Sequence, residues 1–211
     1  GVVPETLDMF RLSNVKICAE AHVEIHHHLV SQAADLASIQ KVYAGPQPAA
    51  QCRKWLRANL PQAEVVEVVP TSKAVDSAVA DPSSAAIANE LAAELRGCPI
   101  LAEHIEDNPH NRTRFLILGF NEPRQTGRDK TSLMFTLRNQ PGELYRALGT
   151  FERHKVNLMM IESRPAQRSD FEYLFYTDCA GHHSDTLLVA ALEELRGIAL
   201  DLQVLGSYPT Q

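Results

Sequence analysis

Between Thr131 and Leu205 the spacing of apolar residues changes period in an order that few folds satisfy. Thr131 to Arg138 alternates as a strand does, and Gly142 to His154 repeats Leu144, Leu148 and Phe151 at helical spacing. Val156 to Ser163 and Phe171 to Asp178 read as strands. Ser184 to Arg196 reads as a helix with Leu187, Leu188, Ala191, Leu192 and Leu195 toward a core, and Leu200 to Leu205 as a closing strand. The order βαββαβ predicts a ferredoxin-like split βαβ unit, for which about 80 residues suffice.

Upstream, a polar stretch from Asn121 to Lys130 carries Pro123 and Gly127 and interrupts the periodic segments, which marks a linker between regions 1–120 and 131–211. The first region opens with alternation: Val15, Ile17, Ala19, Ala21, Val23 and Ile25 point one way, which predicts a half-buried strand. Gly45-Pro46 is a turn. Pro48 to Leu60 then predicts a helix with Ala49, Cys52, Leu56 and Leu60 on one face. Val65 to Val69 reads as a strand, and Thr71 or Ser72 as the hydroxyl cap of a helix through Ala80. Ala85 to Ala88 reads as a buried strand and Asn89 to Arg96 as a helix stopped by Gly97. Pro99 to Ile105 and Thr113 to Gly119 read as further strands. Strands alternating with helices predict an α/β layered domain.

Composition narrows the function. The net charge of -6, with no basic stripe, argues against a nucleic-acid partner. No apolar run approaches the roughly 18 residues a membrane helix needs, so no membrane partner is expected. Cys18, Cys52, Cys98 and Cys179 are widely spaced, without a C-x-x-C pair, and read as small buried hydrophobes in a cytoplasmic protein. His26-His27-His28 places His26 and His28 on one strand face beside Glu24, and reads as a polar face, not a metal site. No metal or cofactor is expected.

Two polar groupings stand out. The turn Pro141-Gly142-Glu143-Leu144-Tyr145 opens a helix, where backbone N–H groups around Gly142 to Leu144 can meet a carboxylate. Glu162-Ser163-Arg164-Pro165 closes an apolar run; a carboxylate, a hydroxyl and a guanidinium in a row suit amino-acid binding better than a core. With Asn157-Leu158 and Leu205-Gly206-Ser207-Tyr208-Pro209, these residues resemble the phenylalanine-binding ACT domain. In the first region Ile105-Glu106-Asp107-Asn108 and Asn111-Arg112-Thr113-Arg114-Phe115, containing Thr-Arg-Phe, resemble prephenate dehydratase. Pro46-Gln47, Gln51-Cys52, Ala85-Ala86-Ile87-Ala88, Thr6-Leu7-Asp8 and Glu20 fit the same family.

The resemblance implies a two-lobed catalytic domain like that of periplasmic binding proteins, over 1–120, then the ACT domain over 131–211. Gly1 resembles the glycine that ends the family's Glu-Asn-Ser segment, so the chain is expected to begin inside the catalytic domain. The implied activity is that of a carbon–oxygen lyase: cofactor-free decarboxylative dehydration of prephenate to phenylpyruvate in phenylalanine biosynthesis. Thr113, Gln51 and Arg114 are implied as catalytic, with Pro46, Gln47, Thr71, Asn111 and Phe115 against substrate. Gly142, Glu143, Leu144, Asn157, Leu158, Glu162, Ser163 and Arg164 are implied to bind the effector phenylalanine in a homodimer or homotetramer. Ala44-Gly45 replaces the family's usual Ser-His, and Glu143 replaces its alanine. Those departures leave a second expectation, a non-catalytic amino-acid-binding module or inactive fragment.

Overall fold

The computed structural model describes residues 9–10, 13–165 and 172–210. The expectations for Gly1, for Thr6-Leu7-Asp8 and for a strand starting at Phe171 lie outside the described residues. The chain folds as two compact units, His22–Thr113 and Gly1–Ala21 with Arg114–Gln211. Strands β1 (Lys16–Glu24) and β7 (Arg112–Gly119) pair as a two-stranded sheet, and each belongs partly to both units.

The His22–Thr113 unit contains β2 (His28–Ser31), β3 (Lys41–Ala44), α1 (Pro46–Gln51), α2 (Arg53–Asn59), β4 (Glu64–Glu67), α3 (Thr71–Ala80), β5 (Ser84–Ala88), α4 (Glu90–Glu94) and β6 (Ile100–Ala102). Its sheet has the order β4-β3-β5-β2-β6. Strand β3 runs parallel to β4 and β5, while β2 is antiparallel to β5 and β6. One face packs Leu29, Val42, Ala85 and Ile87 on Cys52, Leu56 and Leu60; the other packs Val30, Ala86 and Ala88 on Ala74, Val75 and Ala78. Covering on both faces explains why β2 and β5 are buried at every residue.

Several expectations shift here for local reasons. The helix expected from Pro48 to Leu60 divides at Cys52, where the Asp107 carboxylate accepts from the N–H groups of Lys54 and Trp55 and so caps a new start. Thr71 is the first helical residue of α3 and Pro70 precedes it, so no hydroxyl caps that helix. Asn89 does cap α4, its Oδ1 accepting from Ala92 N at 2.9 Å. The strand expected through Ile105 stops at Ala102, and His104 then turns the chain at φ +51°.

The other unit holds β8 (Asp129–Arg138), α5 (Glu143–Arg153), β9 (Leu158–Pro165), β10 (Glu172–Ala180), α6 (Thr186–Arg196) and β11 (Asp201–Pro209). Its antiparallel sheet has the order β11-β8-β10-β9, the βαββαβ arrangement read from the sequence. Leu133, Phe135, Leu137 and Phe175 meet Ala147, Phe151, Leu188, Leu192 and Leu195 of the helices. On the opposite sheet face Met134, Leu174, Tyr176 and Tyr208 pack with Ile17 and Leu116, so β8 is buried on both sides. It begins within the stretch read as linker, and Asp129 and Lys130 are both buried.

Burial along β1 does not follow the alternation. Ile17 and Glu20 are buried while Val23 is 46% exposed. A carboxylate survives there because Lys130 Nζ donates to both its oxygens, at 2.8 and 2.9 Å, and Arg114 Nε lies 2.7 Å away.

Candidate functional site

Strand directions collect the polar residues of the His22–Thr113 unit at one edge of its sheet. The C-terminal ends of β3, β4 and β5 share that edge because the three run parallel. Antiparallel pairing of His28 with Ala88 and of Leu29 with Ala102 brings the start of β2 and the end of β6 there too. The edge outside the carboxyl ends of parallel strands is where α/β sheets take ligands. It gathers Ala44 to Gln47, the start of α3 at Thr71, His26 to His28, and His104 to Asp107.

Gln51, at the last turn of α1, is fixed in this edge from two directions. Its Oε1 can only accept, so His27 donates to it from Nε2 at 2.7 Å; its Nε2 donates to Asn111 Oδ1 at 3.2 Å. Asn111 is itself tied to Ile25, donating from Nδ2 to the Ile25 carbonyl at 3.1 Å and accepting from Ile25 N at 2.8 Å. That pairing sets the start of β7 and thereby Thr113, which is exposed. Pro46 and Gln47 are exposed at the start of α1, and Arg112 pairs with Glu24 at 3.0 Å.

Glu106 lies under the same edge with its side chain 3% exposed. Burial raises its pKa, but hydrogen bonds from the His26 ring at 2.8 Å and His27 N at 2.9 Å outweigh that and hold it at about 2. His27 and His104 were not among the residues expected in the site. Their hydrogen-bond partners lie 24 to 79 residues away in sequence, so no local spacing reveals them.

Arg114 and Phe115 belong to the other unit. The Arg114 guanidinium reaches Asp178 Oδ2 at 2.5 Å and Tyr208 Oη at 2.7 Å. Its Nε faces Glu20 as an ion pair without an aligned hydrogen bond. Ser132 Oγ completes the cluster, donating to Asp178 Oδ1 at 2.5 Å and lying 2.6 Å from Tyr208 Oη. Burial, with Asp178 beside it, pushes the Tyr208 hydroxyl well above its usual pKa, so it stays a phenol. Phe115 is 51% exposed on β7.

The effector residues expected from the sequence divide in three. Glu143 and Leu144 line a pocket of about 170 Å³ with Leu137, Arg138, Tyr173 and Phe175 at the N-terminus of α5. Gly142 precedes that helix at φ +84°, a conformation glycine adopts freely. Arg138 and Glu143 give this pocket one charge of each sign beside an aromatic wall, although Glu143 also pairs with Arg146 at 2.5 Å. Ser163 pairs with Phe175 and so shares the helix-covered face. Glu162 and Arg164 pair with Tyr176 and Leu174 and lie on the opposite face, because side chains alternate along β9. Asn157 and Leu158 lie near Cys179, six residues along β10 from Tyr173 and so about 20 Å from the pocket. One chain therefore does not bring all eight residues onto a single ligand.

Comparison with known proteins gives these residues a context. The family model described as prephenate dehydratase matches residues 1–123, and that described as ACT domain matches residues 131–197. The chain is 43% identical over 209 residues to a bifunctional chorismate mutase/prephenate dehydratase of Aquifex aeolicus, covering 99% of this chain and 58% of that protein. It is 36% identical over 214 residues to a prephenate dehydratase of Mycolicibacterium smegmatis, covering 100% of this chain and 69% of that protein. A solved structure of prephenate dehydratase in complex with L-Phe, from Arthrobacter aurescens, superposes with a TM-score of 0.86 at 35% identity, covering 100% of this chain and 71% of that one. The chain thus spans just over half the length of the bifunctional relatives.

Proposed function

The chain belongs to the prephenate dehydratase family and carries an ACT domain, and from that premise we propose that the whole protein dehydrates and decarboxylates prephenate under feedback from phenylalanine. The domains proposed are a catalytic one over 1–120, a linker over 121–130 and the ACT domain over 131–211. The reaction breaks the ring carbon–hydroxyl bond and the bond to the ring carboxylate together. The electron pair of the latter enters the ring, carbon dioxide and water leave, and phenylpyruvate remains. Aromatisation supplies much of the driving force, so the protein's tasks are holding a dianion and donating a proton or hydrogen bond to the departing hydroxyl.

Thr113 is the proposed donor to that hydroxyl. Gln51 and Asn111 position the substrate by amide hydrogen bonds, and Pro46, Gln47, Thr71 and Phe115 border it. Arg114, the next residue of β7, is proposed to balance the substrate's charge, although Asp178 and Tyr208 hold its guanidinium. The observation that carries the reading is the 3.2 Å contact between Gln51 and Asn111, which ties the two family motifs to one sheet edge. The test is phenylpyruvate formation by the whole protein. Thr113→Ala should lower kcat by about 100-fold or more, and Thr113→Ser should retain most of it. Wild-type turnover in Thr113→Ala removes the assignment.

For regulation we propose that phenylalanine binds to the ACT domains of a homodimer or homotetramer in the cytoplasm. The separation of Asn157, Glu162 and Arg164 from Glu143 and Leu144 within one chain favours a site completed by a second copy. Such binding changes activity only through different affinities for two states of the enzyme. Ala44, buried and without a hydroxyl, favours the second reading, an effector-binding module without turnover. Absence of turnover in the wild-type whole protein, with phenylalanine binding intact, selects it.

A further inference from the structure

We propose that His26, His104 and Glu106 form a binding site for a divalent transition-metal ion of the zinc class. Their donor atoms converge on one point. His26 Nδ1 lies 2.8 Å from Glu106 Oε1 and 3.0 Å from His104 Nδ1, and His104 Nδ1 lies 3.7 Å from Glu106 Oε1. Donors about 2.0–2.1 Å from a tetrahedral ion stand roughly 3.3 Å apart, so these three need shift by only a few tenths of an ångström. Two imidazoles and one carboxylate, with the remaining positions open, form a donor set suited to such an ion.

Without an ion the arrangement is poorly satisfied. An imidazole nitrogen carries one proton or one lone pair. A single proton on His26 Nδ1 must serve both the carboxylate and the His104 nitrogen, so at most one of the two contacts is a full hydrogen bond. A cation accepts all three electron pairs at once.

The surroundings hold the ligands in place. Glu106 Oε2 accepts the His27 N–H at 2.9 Å, which aims Oε1 at the two rings. The His104 N–H reaches His28 Nδ1 at 3.3 Å, and the two rings pack edge to face with centroids 5.2 Å apart. His104 holds its ring there at φ +51°, a backbone conformation uncommon for a residue with a side chain. The side chains of His26 and His104 are 36% and 55% exposed, so an ion can enter from solvent. The ligand set differs from the His26, His28 and Glu24 grouping of the sequence: Glu24 is 3.9 Å from the other nitrogen of His26, and His28 Nδ1 faces the His104 backbone.

The experiment strips the whole protein with a chelator and titrates it with cobalt(II), then zinc(II). One equivalent of cobalt(II) per chain, with visible absorption bands that zinc abolishes, is expected. Glu106→Gln should weaken binding at least tenfold, and His110→Ala, a change on an exposed turn, should leave it unchanged. Because a change at buried Glu106 risks the fold, His104→Gly is the second arm. Glycine suits φ +51°, so this variant should unfold at or above the wild-type temperature while binding at least tenfold more weakly. No stoichiometric uptake by the wild type, or wild-type affinity in a folded His104→Gly, overturns the proposal. Because binding is read without turnover, this outcome is independent of the dehydratase reading.

Discussion

Gly206 lies so close to the backbone of Ile17 that a Cβ built on it would stand 2.1 Å from the Ile17 carbonyl oxygen and 2.9 Å from its nitrogen. The contact comes where β11 shifts register between Val204 and Gly206 and β1 passes over it. Both partners are backbone, so no rotamer change relieves the clash. Gly206→Ala should destabilise the protein by about 3 kcal/mol or more, at the upper end of overpacking costs. Urea unfolding measures it; a loss under about 1 kcal/mol would show that β1 can move aside.

The Glu20–Lys130 pair predicts an asymmetry. Glu20→Leu leaves the Lys130 ammonium, with a side chain 10% exposed, without its carboxylate, at a cost of about 3–5 kcal/mol. Lys130→Met should cost less, because Arg114 Nε still faces Glu20 at 2.7 Å. Glu20→Leu combined with Lys130→Met should recover part of the larger loss. Equal losses for the two single variants in denaturant unfolding would contradict this partition.

These two features also mark how far the sequence could be read. The βαββαβ order was legible because α5 buries Ala147 and Phe151 and α6 buries Leu188, Ala191, Leu192 and Leu195 at helical spacing, although Leu187, read toward the core, is 57% exposed. Strands β2 and β3 were missed: each has four residues, and β2 is buried on both faces, so no alternation marks it. Glu20 was legible only as part of a family pattern, since Lys130 lies 110 residues away. Gln51 and Asn111 were expected from the family motifs, but His27, which meets the other end of the Gln51 amide, was not. Its part depends on a side-chain contact that residue type alone does not announce. The row Glu162-Ser163-Arg164 reads as one group in sequence, yet the period of two along β9 sends its charges to one sheet face and its hydroxyl to the other.

Asp129 gives a pH dependence. Burial raises its carboxyl, but hydrogen bonds from Thr126 Oγ1, Thr126 N and Gly127 N outweigh that and lower it below its ordinary 3.8. A folded pKa below the unfolded one stabilises the fold above about pH 3.9, and the contribution disappears as pH falls through the depressed value. Asp129→Asn should therefore cost about 1.5–3 kcal/mol at neutral pH, the range for hydrogen bonds to a charged group. The gap between wild type and variant, followed by urea unfolding at decreasing pH, should narrow once pH drops below about 3.9. A gap that widens in acid would reverse the sign of the argument.

The pocket beside α5 predicts how the effector response changes. Leu144, 39% exposed, stands on its wall with Tyr173 and Phe175. Leu144→Trp fills much of the roughly 170 Å³ with a rigid ring. Phenylalanine should then be needed at tenfold or higher concentration for half its effect on turnover. An unchanged response curve would place the effector away from this pocket.

Gln51 separates positioning from charge. Gln51→Ala removes the acceptor for His27 and the donor to Asn111, so kcat/KM for prephenate should fall about 100-fold. Gln51→Glu keeps the acceptor for His27 at nearly the same size but loses the amide donor and sets a negative charge before a dianionic substrate. If Gln51 served only as the acceptor that holds His27, Gln51→Glu would behave as wild type. If it faces substrate, Gln51→Glu should be at least as impaired as Gln51→Ala, chiefly through a raised KM, because repulsion acts on the bound ground state as well as the transition state. Steady-state kinetics on both variants, with thermal unfolding to confirm that each is folded, decides between the two.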